Sequence, residues 1–241
     1  HTCALYADGS LECWGHDGYS QVSGTPSGAN YVAVTAGENF SCALDSSNMV
    51  TCWGQDNDGQ LDVVPAGFSA VSAGGAHACG ITSTGSLTCW GDDFWGQTTA
   101  PAGTYTYIFA GQDDTCAVDG ASQLVCWGSN FSNISSPPAD SFTSGDMSDS
   151  DRFACGIDST SMVQCWGSLS SGLSSPPTAK VSDIATGDSH ACAVTTSGSI
   201  NCWGSNIDNS VSGAPSGSNF RSVSAGYNFS CATDDAGLIT C

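Results

Sequence analysis

Positive charge is nearly missing from this chain. Lys180, Arg152 and Arg221 are its only Lys or Arg residues, against 23 Asp and Glu, for a net charge of −20. Three cations cannot line a phosphate backbone and the excess anions repel one, so nucleic acid is excluded as a partner. Anionic membrane surfaces are disfavoured on the same ground. No apolar run is long enough to cross a bilayer, which excludes insertion by a helix. Long amphipathic patterns are also missing, and no Gly-x-Ser-x-Gly elbow is present. The chain opens on His1 without a signal-peptide pattern and is expected to be a processed product or part of a longer chain.

Cysteine is abundant. The fourteen fall in seven pairs: Cys3 and Cys13, Cys42 and Cys52, Cys79 and Cys89, Cys116 and Cys126, Cys155 and Cys165, Cys192 and Cys202, and Cys231 and Cys241. Members of each pair are ten positions apart, and successive pairs begin 37 or 39 residues apart. A repeat of this length means a solenoid, an array or a propeller.

Each unit reads as a β-hairpin. An apolar residue stands two positions after the first Cys in six units (Leu5, Leu44, Ile81), Thr233 being the exception, and another two positions before the second in all seven (Leu11, Val50, Leu87). A three-residue loop between the strands sets the cysteines opposite each other, and the apolar pair opposite on the same face. The last loop residue needs a left-handed backbone, and Gly or Asn holds it in five units. Ser122 and Ser161 hold it in the other two, where adjusted turns are expected. The register selects one pairing, each Cys with its partner ten residues on, out of about 10⁵ on paper. Seven such bonds imply an oxidising compartment, extracellular or at the cell surface. Zinc would need convergent pairs at closer spacing, so the cysteines are not read as metal ligands.

Cys-Trp-Gly follows in six units, and a Gly stands five positions before the first Cys in five. The run Cys-x9-Cys-Trp-Gly-x4-Gly-Gln, as in Cys79 to Gln97 and Cys42 to Gln60, resembles the regulator of chromosome condensation repeat. The stretch from Cys89 to Gly103 looks like secreted bacterial members of that family, such as beta-lactamase inhibitor protein II. The resemblance spans all seven units and implies an all-β fold: a seven-bladed β-propeller with one disulfide-locked hairpin per blade. It does not carry function, because propellers host many roles. We read residues 1–241 as a single propeller domain whose first and last repeats are incomplete, with Pro-Gly segments such as "VPAGFSA" as turns between blades. The incomplete ends leave an open ring, or one completed by a flanking segment or a neighbouring subunit. Gly145 lies ten positions before Cys155, so "GDMSDSDRF" is expected to hold a five-residue insertion that protrudes.

Catalytic constellations do not emerge, and the chain is read as a binding module and not an enzyme, with no cofactor. His1, His77 and His190 share one slot on different blades and read as framework; His16 stands alone in a loop. The carboxylates after Trp-Gly read as solvating charge. Asp56, Asp58 and Asp62 faintly resemble a calcium loop but lack its full ligand series, so no metal is assigned. Trp95 lies outside the recurring Trp slot, with Tyr19 at the aligned position and Phe94 and Phe131 in matching loops. These four aromatics are the candidate binding residues, as anchors for a protein partner. Asn39, Asn130, Asn133 and Asn228 each begin Asn-x-Ser and are candidate glycosylation sites. The leading functional reading is an extracellular structural or adhesive module, self-associating into a filament or appendage or part of a longer repeat protein. The alternatives are a secreted inhibitor of an enzyme such as a β-lactamase, and a glycan-binding propeller.

Overall fold

A computed structural model describes residues 1–64, 67–150, 152–170 and 172–241. Pro65 and Ala66 of one expected interblade turn, Asp151 of the expected insertion, and Ser171 lie outside the described residues. The strands form one antiparallel sheet per repeat. Blade 1 pairs β1 (Thr2–Leu5) with β2 (Leu11–Trp14). Blade 2 holds β3 (Tyr31–Ala36), β4 (Phe40–Asp45) and β5 (Val50–Gly54), and blade 3 holds β6 (Phe68–Ala73), β7 (His77–Thr82) and β8 (Leu87–Gly91). Blade 4 holds β9 (Tyr105–Ala110), β10 (Asp114–Asp119) and β11 (Leu124–Gly128), and blade 5 holds β12 (Phe142–Met147), β13 (Phe153–Asp158) and β14 (Val163–Gly167). Blade 6 holds β15 (Val181–Thr186), β16 (His190–Thr195) and β17 (Ile200–Gly204), and blade 7 holds β18 (Phe220–Ala225), β19 (Ser230–Asp234) and β20 (Ile239–Thr240).

The hairpin register follows the cysteine spacing. Cys42 faces Cys52 and Leu44 faces Val50, and blades 1, 3, 5 and 6 repeat this pairing. All seven disulfides join partners ten residues apart, with Cα atoms 4.0–4.1 Å from each other. Ser122 and Ser161 do not adjust their turns. They take φ of 64° and 71°, the backbone that Gly85 takes at 86° in blade 3. Ser161 N donates to Asp158 O as Gly85 N donates to Thr82 O. Register, not residue type, dictates the left-handed position, and the two serines bear its cost.

The insertion in blade 5 is also smaller than the glycine spacing suggests. Gly145 lies inside β12, facing Gly156, and Asp146 faces Cys155 as Thr35 faces Cys42 in blade 2. Ser148 occupies the turn slot: its N–H bonds Phe153 O, the counterpart of Gly37 N to Phe40 O. That turn is two residues longer than in blade 2, not five. Ser148 is buried, and its Oγ accepts from the backbone N–H groups of Arg152 and Phe153, which satisfies the lengthened turn.

Two compact units emerge from the contacts. The first comprises His1–Gly120 with Val125–Ser129, the second Ala121–Leu124 with Asn130–Cys241. The core of the first runs between blades, with Phe40, Leu44 and Val50 against Phe68, Ala78 and Trp90. Phe153, Ile157 and Val163 meet Val181, Ile184 and Trp203 in the second. Close approach of neighbouring blades explains the recurrent glycine before the first Cys. A Cβ on Gly74 would stand 2.3 Å from Gly111 O, and one on Gly187 would stand 2.5 Å from Gly226 O.

Candidate functional site

The loops that follow Cys-Trp-Gly carry the candidate aromatics, and three repeated devices hold them. The first is a short polar side chain two positions after the Gly. Asp17, Asp56, Asp93, Asn130 and Asn206 each accept, through Oδ1, the backbone N–H five residues on. These carboxylates are braces and not merely solvating charge. Asp56 is committed to Leu61 N, and no cluster of three potential metal ligands occurs among the described residues.

A buried glutamine is the second device. Gln21, Gln60 and Gln97 turn back to accept from the backbone N–H of Tyr19, Asp58 and Trp95, each at 2.8 Å. Apolar Ile134 and Leu173 fill that slot in the next two loops, and both are buried. His16 is not isolated, since its Nδ1 lies 3.1 Å from Gln21 Nε2.

The third device is the recurring tryptophan. The indole N–H of Trp53, Trp90, Trp127 and Trp166 donates to the carbonyl of Gln21, Gln60, Gln97 and Ile134 respectively, at 2.8–3.0 Å. Each Trp therefore clamps the loop of the preceding blade to its own. Leu169 takes the brace slot in the fifth loop, and there Trp203 Nε1 has no acceptor among the described residues. Each bond contributes about 1 kcal/mol; those of Trp53, Trp90 and Trp166 are buried and that of Trp127 partly so, and loss of a buried one leaves an unsatisfied group.

On this frame Phe94 is 78% exposed and Trp95 42%. Their rings meet edge to face, with centroids 4.8 Å apart. Gln97 fixes the Trp95 backbone and donates through Nε2 to Asp92 Oδ2 at 2.7 Å, while Trp127 holds Gln97 O. The pair thus stands on a loop tied at three points, which lowers the ordering cost of binding. Tyr19 is 47% exposed in the first unit, and Phe131 68% in the second. Ile207 takes the same repeat slot as Phe94 and Phe131 and is likewise exposed. Alignment of the repeats would have found it; attention to aromatics alone passed over it.

Asp92 and Asp93 directly precede the pair in the chain. Hydrogen bonds from Thr98, then from Thr99, hold the Asp93 carboxyl below the ordinary range. Asp113 is pushed up by burial and by the charges of Asp92, Asp114 and Glu38. Among the glycan candidates, Asn130 and Asn133 are exposed, whereas Asn39 and Asn228 are half-buried. Asn228 Nδ2 donates to Asp208 Oδ2 at 3.2 Å.

The framework histidines link blades. His1 Nε2 meets Ser41 Oγ, His77 Nε2 meets Thr115 Oγ1 and His190 Nε2 meets Ser230 Oγ, at 2.7–2.8 Å. Burial pushes His77 down to about 4, against the opposing charges of Asp92 and Asp93. Each ring serves a different blade junction.

The regulator of chromosome condensation (RCC1) repeat matches residues 31–60, 68–97 and 181–209, the segments that carry β3 to the Gln60 loop, β6 to the Gln97 loop, and β15 to the loop of blade 6. No curated protein matches the chain by sequence. Among solved structures, the CRINKLY WD40 ectodomain of the Arabidopsis thaliana receptor kinase ACR4 is 27% identical over 97% of this chain and 86% of its own, with a TM-score of 0.80. The ectodomain of the Physcomitrella patens receptor kinase CR4 is 26% identical over 97% of this chain and 66% of its own, with a TM-score of 0.82. Prp20p of Saccharomyces cerevisiae shares the fold at 15% identity and a TM-score of 0.69, over 87% of this chain and 70% of its own. Seven disulfide-locked sheets and these likenesses together identify the fold class as the seven-bladed β-propeller. Three of its repeats thus match the regulator of chromosome condensation repeat, on a propeller fold similar to that of these structures.

Proposed function

We propose that this chain is an extracellular protein-interaction module, structural or adhesive in role, with residues 1–241 forming one propeller domain. It is a binding module and not an enzyme, and it engages its partner through the aromatics of the loops after Cys-Trp-Gly. The observation that carries this reading is the Phe94–Trp95 pair, exposed yet anchored through Gln97 and Trp127. Large aromatics on a rigid support bury area at low entropic cost, which is the character of an interface anchor. Seven disulfides suit an oxidising compartment, and the two plant proteins of similar structure are receptor ectodomains.

A photoreactive residue at Thr99 tests the reading on native cell surfaces. Cross-links to a discrete protein that vanish in the Phe94→Ala/Trp95→Ala variant support it. Cross-links that persist in that variant refute it.

A glycan-binding reading draws on a different feature of the second unit. An open cleft of about 580 Å³ is lined by Thr195, Thr196, Ser218, Asn219 and the Arg221–Asp235 ion pair, donors and acceptors suited to sugar hydroxyls. Arg221→Ala would abolish signal on a glycan array if this cleft is used.

A further inference from the structure

We infer that the Phe94–Trp95 loop takes a cationic partner, an Arg- or Lys-bearing segment of another protein whose charged head sits over an exposed ring and between the carboxylates of Asp92 and Asp93. The inference rests on the reading of this loop as a protein-binding site and specifies what it binds. Three observations converge on it.

The first is composition by unit. All three cations, Arg152, Lys180 and Arg221, fall in the second unit, so the first has thirteen Asp and Glu and neither Lys nor Arg. Its field is anionic throughout, and a basic partner is drawn to it over a Debye length. Burial and then the charges of Asp92, Asp114 and Glu38 push the Asp113 carboxyl up, so it sits within the field of these neighbours.

Adjacency is the second. Asp93 precedes Phe94 directly and is itself exposed, and Asp92 is partly exposed. A partner that covers the ring pair also covers Asp93. The hydrogen bonds from Thr98 and Thr99 favour the ionised form of that carboxyl, which adds to the cost of covering it without a countercharge. Covering an ionised carboxylate with apolar or anionic surface carries an uncompensated desolvation cost. A cation offsets it.

The third is the ring pair itself. Exposed Trp and Phe attract guanidinium and ammonium groups through the negative faces of their π systems, Trp most strongly. One cation placed there satisfies rings and carboxylates together, and a flanking apolar residue can cover the remainder of Phe94.

A random dodecapeptide display library selected on the full chain, with each binder re-measured on Trp95→Ala, separates the possible failures. Thermal unfolding of the variant at the wild-type midpoint establishes that it is folded. We expect binders enriched in Arg and Lys, weakened about tenfold by Trp95→Ala and weakened further by added salt. Binders that need Trp95 but carry no excess of basic residues would overturn the cationic assignment and leave the site standing. Binders indifferent to Trp95, or none that depend on it, would overturn both.

Discussion

His77 Nε2 lies 2.7 Å from Oγ1 of Thr115, one blade further along the chain. The contact belongs to a code. Where the slot two positions before the first Cys is His, the residue just before the next blade's first Cys is Ser or Thr: His1 with Ser41, His77 with Thr115, His190 with Ser230. Where the slot is Phe, that residue is Ala: Phe40 with Ala78, and Phe153 with Ala191. A buried imidazole needs a polar partner, whereas a phenyl ring of similar size needs only room.

Thr115→Ala alone is therefore expected to destabilise by about 1–3 kcal/mol, because it strands a buried ring nitrogen. His77→Phe alone buries the Thr115 hydroxyl unpaired and should cost a similar amount. The double variant His77→Phe/Thr115→Ala restores the Phe–Ala form of the code and should recover most of the loss. Urea unfolding of the four proteins measures the coupling; simple additivity of the two single losses would show that the pair is not a unit.

Stability should respond to pH through two buried groups of opposite sign. Asp146 is half-buried as a residue, its carboxylate accepts from Thr186 N at 2.7 Å and Oγ1 at 3.0 Å, and desolvation of that carboxyl pushes it up to about 7. The folded state therefore holds the proton more tightly than the unfolded state, so this contribution is present at low pH and fades as pH rises from about 4 to 7. His77, pushed down to about 4 from 6.5, behaves oppositely. Its unfolded form takes up a proton first, so its contribution is full above pH 6.5 and fades on acidification towards 4. The two slopes oppose each other between these limits. Asp146→Asn should make the melting temperature fall more steeply on acidification than in the wild type. His77→Phe/Thr115→Ala should make it rise. Calorimetry across that range checks both signs.

The hairpins were legible because a disulfide at fixed spacing ties two strand positions together. Cys42 and Cys52, once paired, leave Leu44 facing Val50 with no freedom to slip. What lay hidden depends on partners in other repeats. The 38-position separation of His77 and Thr115 leaves no local pattern, and only a blade-by-blade alignment reveals the code. Asp17, Asp56 and Asp93 stood in one recurrent slot, yet a carboxylate in a loop reads equally as solvation, brace or ligand until its acceptor geometry is known. Gly145 misled for another reason. A glycine inside β12 looks like the turn glycine of other blades, while Ser148 does the turn's work through its hydroxyl. Of the candidate site, exposure of Trp95 and Phe94 followed from their departure from the packing slots; the rigidity beneath them rests on Gln97 and Trp127, whose hydrogen bonds are tertiary.

Gln97 offers a test of that rigidity without touching an anchor. Gln97→Ala removes the acceptor for Trp95 N and the donor to Asp92 Oδ2. We expect a destabilisation of about 1–3 kcal/mol from the stranded groups. Hydrogen exchange at the Trp95 amide should rise, while exchange in β7 and β8 should not. Equal exchange at Trp95 in both proteins would mean that the loop holds its form without the glutamine.

The serines at left-handed turn positions provide the sharpest check on the repeat itself. Ser161 at φ of 71° occupies the conformation that glycine adopts freely and that a Cβ disfavours by about 1–2 kcal/mol. Ser161→Gly should relieve that strain and raise stability, less the greater entropy of glycine in the unfolded chain, for a net gain of about 0.5–1 kcal/mol. Gly85→Ser in blade 3, where φ is 86°, should cost about as much as the first change gains. The two blades thereby exchange penalties. A Ser161→Gly variant no more stable than the wild type in urea would mean that the blade 5 turn is not held left-handed in solution, and that its register differs from that of its sister hairpins.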